Sequence, residues 1–128
     1  MKNILLIEDD KNFGQILKDE LEEERYTVDL VHDGVEGVLS FIAKAHDFVL
    51  LDLKMPRLPG TGALRIIKKL NPFVTAVTFS GNAGSAEMAE AVECGAIECL
   101  AKPFEIERLK ENSGAVESGV TWGRWGDL

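Results

Sequence analysis

Phe48-Val49-Leu50-Leu51-Asp52 decides the architecture, because four consecutive apolar residues run straight into a carboxylate. The run is far short of bilayer length, and it has no polar residue to turn toward water. It predicts a strand over 48–51 covered on both faces, the environment of a parallel sheet rather than of a one-sided antiparallel one. Val74-Thr75-Ala76-Val77-Thr78-Phe79 is nearly as apolar and predicts a second central strand over 74–79. Working outward, Asn3–Ile7 and residues 97–101 read as further strands, while Thr27–Val31 alternates more, as a strand near a sheet edge does.

Segments of helical period separate these runs. Phe13, Ile16, Leu17 and Leu21 form one stripe on a helix over 11–24 that Asp10 can cap. Val35, Val38, Leu39 and Ile42 place a second helix against the sheet, opened by Asp33 and Glu36 in capping-box spacing. After the proline-punctuated loop over 55–60, Leu64, Ile67 and Leu70 carry a third helix toward Asn71-Pro72. A fourth covers 85–94, with Gly95 placed to end it in a left-handed conformation. Pro103 opens a short fifth through Phe104, Ile106 and Leu109. Strands joined by helices through short connections require right-handed crossovers. The expected fold is therefore α/β: a flavodoxin-like, doubly wound, five-stranded parallel sheet in the order 2-1-3-4-5, with its ligand crevice at the carboxyl ends of the strands.

At 128 residues the chain suits one domain, read here as residues 1–111, with 112–128 as a tail rich in Gly and Ser. Trp122 and Trp125 in that tail either cover a surface of the domain or a partner, or belong to a frayed end. The formal net charge of −8 opposes direct binding to nucleic acid or to an anionic membrane, and no basic patch overrides it. The longest apolar runs are too short to span a bilayer and the start lacks a secretory segment. Cys94 and Cys99 match no zinc spacing and read as free thiols in a reducing, cytoplasmic setting.

The polar residues just past the strands are not required by periodicity. The first strand ends in Glu8-Asp9-Asp10, the third in Asp52, the fourth in Ser80 and the fifth in Lys102-Pro103. In a parallel sheet all these ends share one edge, so three or four carboxylates, a hydroxyl and an ammonium converge there. Crowded carboxylates repel one another unless a cation neutralises them. An oxygen-rich pocket of net charge about −3 suits Mg²⁺.

Ile4-Leu5-Leu6-Ile7-Glu8-Asp9-Asp10, Leu51-Asp52-Leu53-Lys54-Met55-Pro56 with Pro59-Gly60, Ser80-Gly81 and Ala101-Lys102-Pro103-Phe104 stand in the order and spacing of one family. Over residues 2–111 the chain resembles the receiver domain of two-component response regulators. The resemblance implies that Asp52 accepts a phosphoryl group from a phosphohistidine on a sensor histidine kinase or a phosphotransfer protein. It implies that Asp9 binds Mg²⁺ directly and Glu8 through water, with the backbone carbonyl of Lys54 as a further ligand. Ser80 would hydrogen-bond a phosphoryl oxygen, and Lys102 would pair with another or with Asp52. A downstream effector protein or domain is implied as the receiver of a switched surface formed by the fourth helix, fifth strand and fifth helix, and a second copy of the chain is a further candidate partner. One position departs from the pattern: three residues before Lys102 the family usually has an aromatic, and this chain has Cys99.

Other residues carry plainer readings. His32 and His46 read as surface or loop residues, Cys94 as helix packing, and the run from Glu20 to Arg25 as a solvated helix face. Lys54 reads as a solvated loop residue whose place two after Asp52 lets it affect the access of hydrolytic water. A flavin-binding protein would share the fold but needs phosphate donors where Glu8-Asp9-Asp10 would repel. An aspartate-nucleophile phosphatase usually has a second Asp where this chain has Lys54, and neither GxxxxGK[ST] nor GxGxxG occurs. A degenerate receiver, acting as a phosphorylation-independent interaction module, is the remaining alternative.

Overall fold

The computed structural model describes residues 3–55, 57–80 and 85–101. Its elements run β1 (Asn3–Ile7), α1 (Lys11–Glu23), β2 (Thr27–Val31), α2 (Gly34–Ala43), β3 (Phe48–Asp52), α3 (Gly60–Leu70), β4 (Thr75–Ser80), α4 (Ser85–Glu93) and β5 (Glu98–Ala101). All strand pairs are parallel and the sheet order is β2-β1-β3-β4-β5, as expected from the sequence. The expected fifth helix, Lys102, Pro103 and the tail over 112–128 lie outside the described residues. No helix among the described residues is long and apolar enough to cross a membrane.

The apolar runs split by parity, as strand geometry demands. Ile4, Leu6, Leu50, Val77 and Leu100 face one side and pack with Leu17 and Leu21 of α1. Leu5, Ile7, Val49, Leu51 and Ala76 face the other and pack with Phe41 of α2, Ala63, Leu64 and Ile67 of α3, and Ala91 of α4. Every residue of β3 and β4 is buried, whereas β2 at the edge is mostly half-buried. The carboxyl ends of β1, β3 and β4 are therefore fixed from both sides.

Four apolar helix residues do not take the core positions expected of them: Ile16, Leu39, Ile42 and Leu70 are exposed. In α2 the buried row is instead Gly34, Gly37 and Phe41. The helix lies so close to the sheet that a Cβ on Gly37 would overlap the Ile7 side chain, which turns Leu39 and Ile42 outward. Apolarity marked the helix correctly but not its rotation about its own axis.

The caps follow the sequence more closely. Asp10 accepts from the Phe13 N–H at 3.0 Å, and Asp33 from the Glu36 N–H at 2.8 Å. The reciprocal bond of the box is displaced by one residue, since Glu36 Oε1 accepts from the His32 N–H at 3.1 Å. Gly95 takes φ 118° as it closes α4. Both cysteines are free; Cys94 lies just past α4, where Arg65 Nε donates to its sulfur at 3.1 Å.

His46 corrects its surface reading. It sits in the loop before β3 but is buried, stacked on Phe41 with ring centroids 5.9 Å apart and donating from Nε2 to Asp29 Oδ2 at 2.9 Å. The flanking Lys44, Ala45 and Asp47 gave a polar, loop-like context, and only the sheet edge explains why the ring folds inward. Burial pushes the Asp29 carboxyl up, but hydrogen bonds and charge from His46 and Lys44 outweigh that and hold it below its usual 3.8. A carboxyl depressed in the folded state stabilises above its unfolded value, and that stabilisation is lost as pH falls through the folded one. Urea unfolding of wild type and Asp29→Asn, followed from neutral pH downward, is expected to show a stability gap that is full above pH 3.8 and narrows below it.

Close approach also constrains the loop after β3. Gly60 N donates to Leu53 O at 2.9 Å, and a Cβ on Gly60 would overlap the Asp52 carbonyl oxygen. Backbone cannot yield there as a flexible side chain would. Gly60→Ala is expected to lower stability by about 1–3 kcal/mol, read as a lower urea midpoint at unchanged slope.

Candidate functional site

The site grows from two neighbouring strand ends. The β1–β3 ladder closes with Ile7 beside Leu51, so the next residues, Glu8 and Asp52, stand side by side just beyond it, Asp52 still paired with β4. Glu8 continues the pairing toward the edge strand, donating its N–H to Val31 O at 3.0 Å. Its carboxylate is buried, and Oε2 accepts from the Asp10 N–H at 2.9 Å. That bond and the Asp10 cap turn the chain sharply, leaving Asp9 exposed at the corner.

Asp52 is buried at the end of β3, and its Oδ1 accepts from the Lys54 N–H at 3.1 Å, which fixes the carboxylate against its own loop. Carboxylate oxygens of Glu8, Asp9 and Asp52 all lie within 4.8 Å of one another. At an effective dielectric of about 20, unit charges at such a separation repel by roughly 3 kcal/mol. The donor set is all oxygen, with two of the three groups buried, which fits a hard cation such as Mg²⁺ or Ca²⁺ rather than a thiolate- or imidazole-seeking one.

The other expected residues divide. Ser80 ends β4 at the same rim and is buried. The register pairs Asp52 with Phe79, one residue before it. Lys54 is exposed in the loop two residues beyond Asp52, with its ammonium 3.6 Å from Glu87 Oε1 on α4. Lys102 directly follows β5, outside the described residues. A cavity of about 410 Å³ lined by Phe41, His46 and Leu70 among others opens near the start of β3, at the opposite ends of the strands from the carboxylates.

Two features escaped the sequence reading. His32, remote in sequence from the acidic residues, lies with Nδ1 2.9 Å from the Glu8 carbonyl oxygen. Asp33 is more than a helix cap: its Oδ2 also accepts from Arg57 Nη1 at 3.0 Å, tying the β2–α2 loop to the loop after Asp52. Nothing in local spacing signals either contact, because each joins segments that meet only once the sheet has formed.

The chain matches, over residues 4–113, the family model described as response regulator receiver domain. Response regulator ArlR of Staphylococcus saprophyticus is 31 % identical over 109 residues, which cover 85 % of this chain and 49 % of that protein. The chain thus spans about half the length of the curated relatives it matches. Among solved structures, a response regulator receiver domain protein from Clostridium thermocellum has TM-score 0.80 and 32 % identity, covering 85 % of this chain and 88 % of that one. A response regulator protein from Burkholderia pseudomallei, with a phosphorylated aspartic acid, calcium ion and citrate, has TM-score 0.82 and 26 % identity, covering all of this chain and 74 % of that one.

Crowded like charges predict a measurable destabilisation. In metal-free buffer containing a chelator, Asp52→Asn, which keeps the side-chain shape, is expected to raise the melting temperature by a few degrees, and the difference is expected to shrink in high salt. A lower melting temperature for the variant would mean that the cluster is not repulsive.

Proposed function

The chain belongs to the response regulator receiver domain family of two-component systems, and on that footing we propose that Asp52 accepts a phosphoryl group from a phosphohistidine in a Mg²⁺-dependent reaction. The observation that carries this reading is the convergence of Glu8 and Asp9 on a buried Asp52 at the rim of the sheet. The phosphorylated aspartic acid and calcium ion of the Burkholderia pseudomallei regulator support it.

Glu8, Asp9, Asp52 and the backbone carbonyl of Lys54 are the groups that hold the cation. The chemistry Mg²⁺ supplies when bound is neutralisation of these carboxylates and of charge on the transferred phosphoryl oxygens. An Asp52 carboxylate oxygen forms the new O–P bond as the P–N bond of the phosphohistidine breaks and its nitrogen keeps the electron pair. The Lys54 N–H on Oδ1 limits rotation of that carboxylate, so the attacking group is positioned before the donor arrives. Ser80 donates to one phosphoryl oxygen and Lys102 pairs with another. Little covalent work falls to the protein; positioning and charge neutralisation supply the catalysis.

The donor is a sensor histidine kinase or a phosphotransfer protein, and the output is a protein-interaction surface on α4, β5 and the segment after them, read by a downstream effector protein or domain. Cys99 stands beside Thr78 in the sheet register, and burial pushes its thiol up. A neutral thiol lacks the volume of the ring usual at this position, so other side chains couple Asp52 to that surface. The same observation favours the second reading, a receiver whose surface is recognised irrespective of phosphorylation.

Incubation with a small phosphodonor and Mg²⁺, followed by intact-mass measurement, is expected to show one added phosphoryl group on wild type and none on Asp52→Ala or on wild type kept in chelator. Addition to both proteins, or to neither, would overturn the assignment.

A further inference from the structure

Resting on that reading of the acidic cluster, we propose that the β2–α2 loop is a positioning brace: His32 and the Asp33–Arg57 pair set the spacing of the carboxylates and thereby the affinity for the divalent cation. The cluster is carried by two separate segments: Glu8 and Asp9 follow β1, whereas Asp52 is the last residue of β3, just before the loop that holds Lys54 and Arg57. The β1–β3 ladder ends at Ile7 and Leu51, so backbone pairing between these two strands stops one residue short of Glu8 and Asp52. Like charges beyond that point tend to splay the segments apart.

The edge strand supplies the missing restraint on one side. Both halves of Glu8's main chain are held from the end of β2: its N–H donates to Val31 O at 3.0 Å, and its carbonyl accepts from His32 at 2.9 Å. A carbonyl oxygen only accepts, so His32 carries its proton on Nδ1 in this contact. The His32 backbone is fixed in turn by Glu36 Oε1, accepting its N–H at 3.1 Å.

The other side is held by the next two residues. Asp33, largely buried, accepts from the Glu36 N–H through Oδ1 and from Arg57 through Oδ2. Arg57 lies in the loop that follows Asp52 and Lys54, at φ 71°, a conformation that non-glycine residues seldom adopt. The two loops also touch along their backbones, since a Cβ on Gly34 would overlap the Leu58 carbonyl oxygen. One short connection on the outermost strand therefore grips the segment after β1 and the loop after β3 without placing a side chain on the cation. Partners of this kind orient ligands, and their loss typically weakens metal binding by about 10–100-fold.

The test is calorimetric titration of MgCl₂ into the full chain, with melting temperatures measured separately in chelator. His32→Ala and Arg57→Ala are each expected to weaken Mg²⁺ binding by about tenfold. His32→Asn, whose amide N–H can stand in place of Nδ1–H, is expected to bind within about twofold of wild type. A purely structural role would lower the metal-free melting temperature and leave Mg²⁺ affinity alone. Unchanged affinity in His32→Ala, or no rescue by Asn, would overturn the brace at His32, and unchanged affinity in Arg57→Ala would overturn the role of the ion pair. All three outcomes leave the phosphoacceptor reading standing as long as wild type binds Mg²⁺. Absence of binding by wild type would overturn both.

Discussion

Repulsion among three carboxylates held within 4.8 Å at the rim of a parallel sheet is the constraint around which the molecule is organised. No isolated loop would hold that arrangement against its own charge. It persists because β1 and β3 are adjacent, fully packed strands whose last paired residues deliver Glu8 and Asp52 to the same place. The apolar runs are thus part of the site's chemistry as well as of its stability: they provide the counterforce to the electrostatics at their ends.

The same logic explains the division of labour between core and periphery. Central strands set direction, since burial on both faces leaves them no alternative register. Short polar contacts lie around them: the Asp10 and Lys54 N–H groups hold the Glu8 and Asp52 carboxylates, and His32 in the loop after β2 holds the Glu8 carbonyl. These contacts are individually modest, but each has a main-chain group as one of its two partners.

Strand order, strand positions and the acidic rim were legible in the sequence because each is written locally: an apolar run has an end, and parallel topology brings the ends together. Asp10, Asp33 and Gly95 were legible for the same reason, as caps with a fixed offset to their helices. The rotation of α2 was not, since it depends on the absence of a side chain at Gly37 beneath which Ile7 can fit. His46 and His32 were misplaced or undervalued because their partners, Asp29 and the Glu8 carbonyl, lie 17 and 24 positions away and become neighbours only through the sheet. Polarity in a loop says that water is near, and both rings found protein instead.

The burial of β3 from Phe48 through Asp52 has a mechanical corollary. A strand locked by ladders on both sides and side chains on both faces behaves as an anvil: a bulky anion fastened to its tip cannot be accommodated by sliding the strand. Displacement must then be taken up by the connections around the rim. The sheet is the fixed frame, and the loops at its rim are the part of the domain left to give.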